Sequence, residues 1–302
     1  MVELMVELVV VSVVIDRQLA TSYAAAVAID PRTLIDSDQY PIHDLADSRT
    51  VALAAECRAR LDATGVAIVP SFVRLDALDA MVAESARLAP GTHHQDVSGT
   101  PYLELPAPDW PADHPRLAHG RSALTAIAYD DFGKGLELRA LYEWDTLMEF
   151  VALALGRDRL YRYDDDLGAL NVASMTDGDE LWWHFDQTDF VVSIALQSSV
   201  RGGDFECVSM LRTSDDERYD DVSSVLAGER TDSVTTVPME PGTLMFFQGR
   251  HSLHRVTPIQ GPTPRYVALL AYDTKPGTCS SELLRLVRYG RAEARTPTSI
   301  SH

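Results

Sequence analysis

The sequence predicts an α+β fold built around one core, and three observations carry that expectation. Strand-like runs crowd into residues 160–275, and helical periodicities lie before and after them instead of alternating with them. A length of 302 residues suffices for one substantial core. Residues 1–45 read as an N-terminal arm and 46–302 as a single domain. Met1–Ile15 is apolar, but it carries Glu3 and Glu7 and lacks a basic leader. It is therefore a poor secretory signal, too short to cross a membrane, and reads as an accessory strand or a partly disordered extension. Residues 16–45, with Pro31 and Pro41, read as an irregular lead-in.

Asp47-Ser48 marks a helix start, and Thr64-Gly65 stops the helix. Between them Val51, Leu53, Ala54, Cys57 and Leu61 keep helical spacing. Val66–Val73 reads as a strand, and Leu75–Leu88 as a second amphipathic helix ended by Pro90-Gly91. Residues 91–120 hold Pro, His, Gly and Asp without a sustained period, which suits a long binding loop or cover. Its histidines, His93, His94, His114 and His119, have no fixed ligand spacing. Asp145–Leu155 is a further helix closed by Gly156, 215–230 a short acidic helix, and Ser281–Arg291 a C-terminal helix covering the sheet or its mouth. The runs Asp164-Asp165-Asp166 and Asp215-Asp216-Glu217 read as solvated loops.

The chemistry concentrates in four residues. His184 and Asp186 stand two positions apart in Trp182-Trp183-His184-Phe185-Asp186, so on a strand they point the same way. His254 follows in Ser252-Leu253-His254-Arg255-Val256, and Arg265 opens a strand pattern that runs to Asp273. Two imidazoles and a carboxylate on one face of a metal form the facial triad of non-haem Fe(II) oxygenases. A guanidinium on the strand neighbouring His254 can grip a dicarboxylate with two hydrogen bonds. The Asp177-Gly178-Asp179 turn, the Phe190–Gln197 strand, the Arg201–Phe205 turn and the Pro241–Phe247 segment surround these residues in order.

This order resembles the Fe(II)/2-oxoglutarate-dependent dioxygenases over roughly residues 160 to 275. The resemblance implies a double-stranded β-helix (jelly-roll, cupin-like) barrel, with the N-terminal helices and the C-terminal helix flanking it. It implies Fe(II) held by His184, Asp186 and His254, 2-oxoglutarate paired with Arg265, and O2 as second co-substrate. His251 is the rival distal ligand, but His254 lies in the His-Arg-Val-Thr-Pro run that resembles the family. Arg255 points away from the metal face. Gly249–Pro258 is similar to the corresponding segment of the freestanding amino-acid halogenases and their hydroxylase relatives. In those halogenases Gly replaces the carboxylate and leaves an iron position to chloride. Asp186 fills that position here, so hydroxylation is the expected outcome.

The resemblance also supplies substrate candidates. Arg121 lies upstream of the metal pair at a distance similar to that of a substrate-carboxylate Arg, with a surface Arg as the plain alternative. Gln187 replaces an acidic residue that reads an amine in the lysine halogenase, which argues against lysine. Trp182 shares a face with His184 and either walls the pocket or fills the core. Asn171 is a further pocket candidate.

A formal net charge of −19 repels phosphate backbones and disfavours a nucleic-acid substrate. Cys57, Cys207 and Cys279 are too few and scattered for a disulfide framework or a zinc motif, which fits a reducing cytoplasm. No membrane partner is expected, and the oligomeric state is not readable. The expected function is oxidation of an unactivated C–H of a small molecule, a free amino acid or an intermediate of specialised metabolism, with release of succinate and CO2. The alternatives are a desaturase or cyclase with the same centre, and a non-catalytic cupin-like metal-binding protein.

Overall fold

The computed structural model describes residues 29–104 and 109–295, and the expectation for Met1–Ile15 falls outside them. The part of the lead-in that is described packs into the core. Ile35 and Ile42 are fully buried, because their apolar side chains fill the space beside Phe72 and Val73.

The described residues form six α-helices: α1 (Ser48–Thr64), α2 (Leu75–Leu88), α3 (Glu137–Glu143), α4 (Asp145–Ala154), α5 (Tyr219–Leu226) and α6 (Glu282–Tyr289). The start of α1 is capped by the Asp47 carboxylate, which accepts from the Arg49 amide, and Gly65 closes the helix in the left-handed conformation. Leu61, Met81, Leu141 and Phe150 of α1–α4 pack on one face of the sheet against Leu170, Val172, Ile194 and Phe246. At two turns, α3 has a pattern too short to stand out in the sequence.

Glu84 of α2 is buried within this layer. Neither of its carboxyl oxygens meets a hydrogen-bond partner in normal geometry, although the Gly133 amide approaches, and the Arg87 guanidinium stays 4.0 Å away. Burial pushes the carboxyl up to about 7. A folded-state pKa above the unfolded one means that stability is fullest below the ordinary carboxyl value and is lost as pH rises through 7. Glu84→Gln cannot ionise, so we expect it to stabilise the protein by about 2 kcal/mol near pH 8, the gain shrinking as pH falls towards 5. Urea midpoints at the two pH values check this; an equal gain at both would remove ionisation as the cause.

The main sheet is wholly antiparallel. Its path runs β1 (Val66–Val69), β10 (Leu244–Phe247), β7 (Val191–Gln197), β12 (Arg265–Leu270), β5 (Leu170–Met175), β3 (Gly120–Ile127), β6 (Leu181–His184), β11 (Leu253–Val256), β8 (Phe205–Val208) and β9 (Thr235–Val237). The eleventh strand, β2 (His94–Gly99), pairs with the other edge of β3, and β4 (Tyr161–Arg162) pairs separately with β13 (Tyr272–Asp273). Both β5 and β6 pair with one edge of β3, Ser174 opposite Thr125 and Leu181 opposite Ser122. The turn between them carries the chain from a helix-covered layer into a second layer, β6-β11-β8-β9. The sheet curls on itself there: Phe247 of β10 lies 4.8 Å from the His254 ring of β11, although the two strands stand far apart along the sheet path. This is the expected jelly-roll.

Three expectations need correction. The sheet begins before residue 160, because β1, β2 and β3 belong to it; β2 is polar enough to read as loop. The strand expected over Val66–Val73 ends at Val69, ahead of a turn in which Ser71 takes a positive φ. Asp165 is not solvated: its carboxylate is buried, accepts the Leu167, Gly168 and Ser280 amides, and pairs with Arg285 at 2.9 Å.

Alternation along the strands hollows the roll. Outward residues of β7 are Val192, Ile194 and Leu196, packed under the helices. Its inward residues, Ser193 and Ala195, are small, as is Ala173 of β5, and a groove remains between the layers. The end of the chain crosses the mouth of this groove. Ser281 caps α6, Gly290 ends it in the left-handed conformation, and Tyr289 joins the inner cluster with Ala173 and Phe247. Leu283, Leu284 and Leu286 face solvent while Arg285 turns inward to Asp165. Beyond the helix Arg291 pairs with Asp130 at 2.6 Å and Arg295 with Asp131 at 2.6 Å.

Candidate metal centre

His184 ends β6 and sits directly opposite His254 of β11 in the ladder, which brings the two rings to 4.2 Å between centroids. Asp186 lies just beyond the end of β6, where its amide donates to the Gly249 carbonyl at 3.0 Å. Its Oδ1 stands 3.6 Å from His254 Nε2 and 4.0 Å from His184 Nε2. One donor atom from each of the three residues lies within 4.8 Å of the others, and no other such group occurs among the described residues.

The residues fit a divalent iron. Nδ1 of His184 is 2.7 Å from the Trp182 carbonyl, and Nδ1 of His254 is 3.0 Å from the Ser252 carbonyl. Each carbonyl accepts the Nδ1–H, so both rings turn the Nε2 lone pair towards Asp186, the tautomer a metal requires. Burial, reinforced by the His254 ring, pushes His184 down to about 4, which keeps it neutral and able to ligate near neutral pH. Burial by itself would raise the Asp186 carboxyl, but His254, His184 and Arg288 together hold it below the ordinary value. Gly249 makes room for the carboxylate: a Cβ there would lie 1.7 Å from Asp186 Oδ2. Phe247 and Phe205 wall the His254 ring, at 4.8 and 5.5 Å.

Arg265 does not neighbour His254 in the sheet, as the sequence reading supposed. Its strand lies between β7 and β5 in the helix-covered layer, across the roll from β11. It is 7% exposed and, among the described residues, has no carboxylate within 4.0 Å; its one polar contact is the Met175 sulfur at 4.0 Å. Burial lowers the guanidinium to about 10, opposed only by the charge of Asp204. A cavity of about 410 Å³ opens beside it, lined also by Gln197, Gly203, Phe205, Thr236 and Val267. An unpaired buried cation facing a polar cavity is suited to an anionic ligand.

The remaining candidates separate. Arg121 is excluded from the groove: its guanidinium pairs with Asp96 at 3.0 Å and donates to the Gly178 carbonyl at 2.7 Å on the surface. Gln187 is exposed and donates to the Tyr102 carbonyl at 2.8 Å, tying the segment after β2 to the segment that carries His184 and Asp186. Trp182 lies on the His184 face of β6 with its ring against Gly120, where a Cβ would come within 1.9 Å. Asn171 is buried in the groove wall and accepts from Arg288 Nη2 at 3.2 Å. The sequence reading missed Arg288, whose only signal is an arginine on the inward side of an otherwise leucine-rich helix.

The decoys lie away from the cluster. Arg255 pairs with Glu206 at 2.7 Å and covers the Trp183 ring on the opposite face. His251 lies outside the cluster, in the turn before β11. His94 meets Asp179 at 2.9 Å, His93 meets the Val287 carbonyl at 3.2 Å, and His114 stacks on Trp110. No described helix is long and apolar enough to cross a membrane.

A family model described as Halogenase D matches residues 126–282, just over half of the chain. No curated protein matches. The non-heme α-ketoglutarate-dependent carbocyclase SnoK of nogalamycin biosynthesis superposes with a TM-score of 0.50 at 14% identity, covering 72% of this chain and 82% of its own. AviO1 from Streptomyces viridochromogenes Tue57 gives 0.49 at 17% identity, covering 76% and 97%. An oxidoreductase of the 2OG-Fe(II) oxygenase family from Burkholderia pseudomallei gives 0.46 at 15%, covering 74% and 92%. The likeness to SnoK speaks to the fold.

Proposed function

The chain belongs to the Halogenase D family within the Fe(II)/2-oxoglutarate oxygenases, and from that premise we propose that it hydroxylates a C–H bond of a small molecule without using halide. The observation that carries this reading is the Asp186 carboxylate, 3.6 Å from one imidazole and 4.0 Å from the other. An oxygen ligand of the protein takes the position that a halide needs. A free amino acid with an uncharged side chain is the preferred substrate.

His184, Asp186 and His254 would hold the iron, and Arg265 the distal carboxylate of 2-oxoglutarate. When bound, iron and 2-oxoglutarate use O2 to convert C–H to C–OH, giving succinate and CO2. The chain's own residues position and exclude. The Trp182 and Ser252 carbonyls fix the imidazole orientations, and Phe205 and Phe247 keep water from the His254 side. Arg265, largely buried, opposes its charge to a carboxylate with little solvent screening. That unpaired guanidinium also speaks against a barrel that only binds metal, which has no use for it.

The test is succinate formation from 2-oxoglutarate with Fe(II) and O2, then mass spectrometry of products from an amino-acid panel in bromide buffer. The native protein is expected to add one oxygen atom and no bromine. A brominated product would show that Asp186 does not occupy the iron position. Absence of succinate would remove the oxygenase reading itself.

A further inference from the structure

The groove has a second cation, and it lies at the opposite end from Arg265. Arg288 projects from α6 over the groove mouth, where its Nη2 donates to Asn171 Oδ1 at 3.2 Å. Asn171 of β5 is paired with Leu269 of β12, four residues along the strand from Arg265. Four residues of strand span about 13 Å, so the two guanidinium-bearing ends are well separated along one inner face.

Arg288 differs from the other arginines of its segment. Arg285, Arg291 and Arg295 each hold an aspartate, whereas Arg288 has no carboxylate within 4.0 Å among the described residues. A guanidinium has five N–H donors, and a neutral amide oxygen uses one of them. The cavity under Arg288 measures about 220 Å³ and is lined by Asn171, Thr188, Val191, Leu269 and Tyr289 among others, none of the described lining residues being acidic. Thr188, two residues beyond Asp186, lines this cavity and sets it beside the segment that carries His184 and Asp186.

We propose that Arg288, steered by Asn171, is the seat for the carboxylate of the substrate, and that the substrate is a small carboxylate with an uncharged, largely apolar body. The inference rests on the oxygenase reading above and deepens it. A bidentate carboxylate would satisfy the guanidinium and direct the apolar body along Val191 and Leu269, inward from the mouth. With no acidic side chain in the lining, a diamine such as lysine finds no partner for its second cation.

The full chain, loaded with Fe(II) and 2-oxoglutarate without oxygen, is titrated calorimetrically with free L-amino acids. Each binder is compared with its primary amide. At least one acid with an uncharged side chain is expected to bind, and its amide about thirtyfold more weakly, as the loss of a charged hydrogen-bonded pair implies. Arg288→Gln should weaken the acid by the same factor and leave the amide unchanged, and Arg288→Lys should recover part of the loss. Asn171→Ala, which changes no residue of α6, should weaken the acid by about fivefold.

Equal binding of acid and amide overturns the proposal, as does an equal loss of both in Arg288→Gln. A parallel loss of 2-oxoglutarate affinity in that variant would assign Arg288 to the co-substrate instead. A panel with no binder would overturn the amino-acid carboxylate. Succinate released by the native protein reads the oxygenase assignment separately, so the two failures are distinguishable.

Discussion

His184→Ala and His254→Ala are each expected to abolish iron binding and succinate formation while the fold persists. Three donors face one another within 4.8 Å, and a facial triad has no ligand to spare. Neither ring holds the core together. Both act at the ends of short strands whose ladders are backbone hydrogen bonds, and each ring's own bond goes to a carbonyl two residues away. Iron content after gel filtration and circular dichroism on the same samples separate loss of metal from loss of fold. His251→Ala should keep its iron, because that ring is outside the cluster. An iron-free His251→Ala beside an iron-replete His254→Ala would reverse the assignment.

Arg265→Ala is expected to raise the 2-oxoglutarate requirement about a hundredfold, roughly 3 kcal/mol, with iron binding nearly unchanged. The size follows from burial. The guanidinium is 7% exposed, sits beside a cavity and has no carboxylate of the protein within 4.0 Å. A dicarboxylate would therefore be its one directly paired counter-charge in a weakly screening wall, Asp204 acting from farther away. Calorimetric titration of 2-oxoglutarate into the metal-loaded variant measures the change. Arg265→Lys should fall between the two, since an ammonium cannot reproduce the two-pronged contact. An unchanged affinity would detach this residue from the co-substrate and weaken the oxygenase reading.

The clustering of His184, Asp186 and His254 was legible because its determinants are local. A spacing of two places His184 and Asp186 together, and a strand-like run carrying His254 pairs with the first. The partner layer was not legible. Which strand lies beside β11 depends on the turn between β5 and β6, so Arg265 was expected next to His254 and faces it across the roll instead. Arg121 failed for a different reason. Its distance upstream was suggestive, but sequence does not reveal that β2 brings Asp96 beside it. Asp165 was hidden inside an acidic run that looks solvated, and only the docked chain end explains its burial. Arg288 carries no motif at all, because its role depends on where α6 comes to rest.

The fastening of α6 has a mechanical consequence. The helix turns its leucines outward and is held by ion pairs, which differ along its length in their access to solvent. Asp165, fully buried, anchors Arg285 near the start, whereas Arg295, 57% exposed, grips Asp131 beyond the end. Dissolved ions weaken exposed pairs far more than buried ones. The outermost pair is therefore the one salt should loosen first, while Arg291, 19% exposed, keeps its pair with Asp130 on the same side of the helix. Rising salt is thus expected to fray residues 293–295 with the helix still docked over the groove, and amide exchange at low and high salt would read the difference.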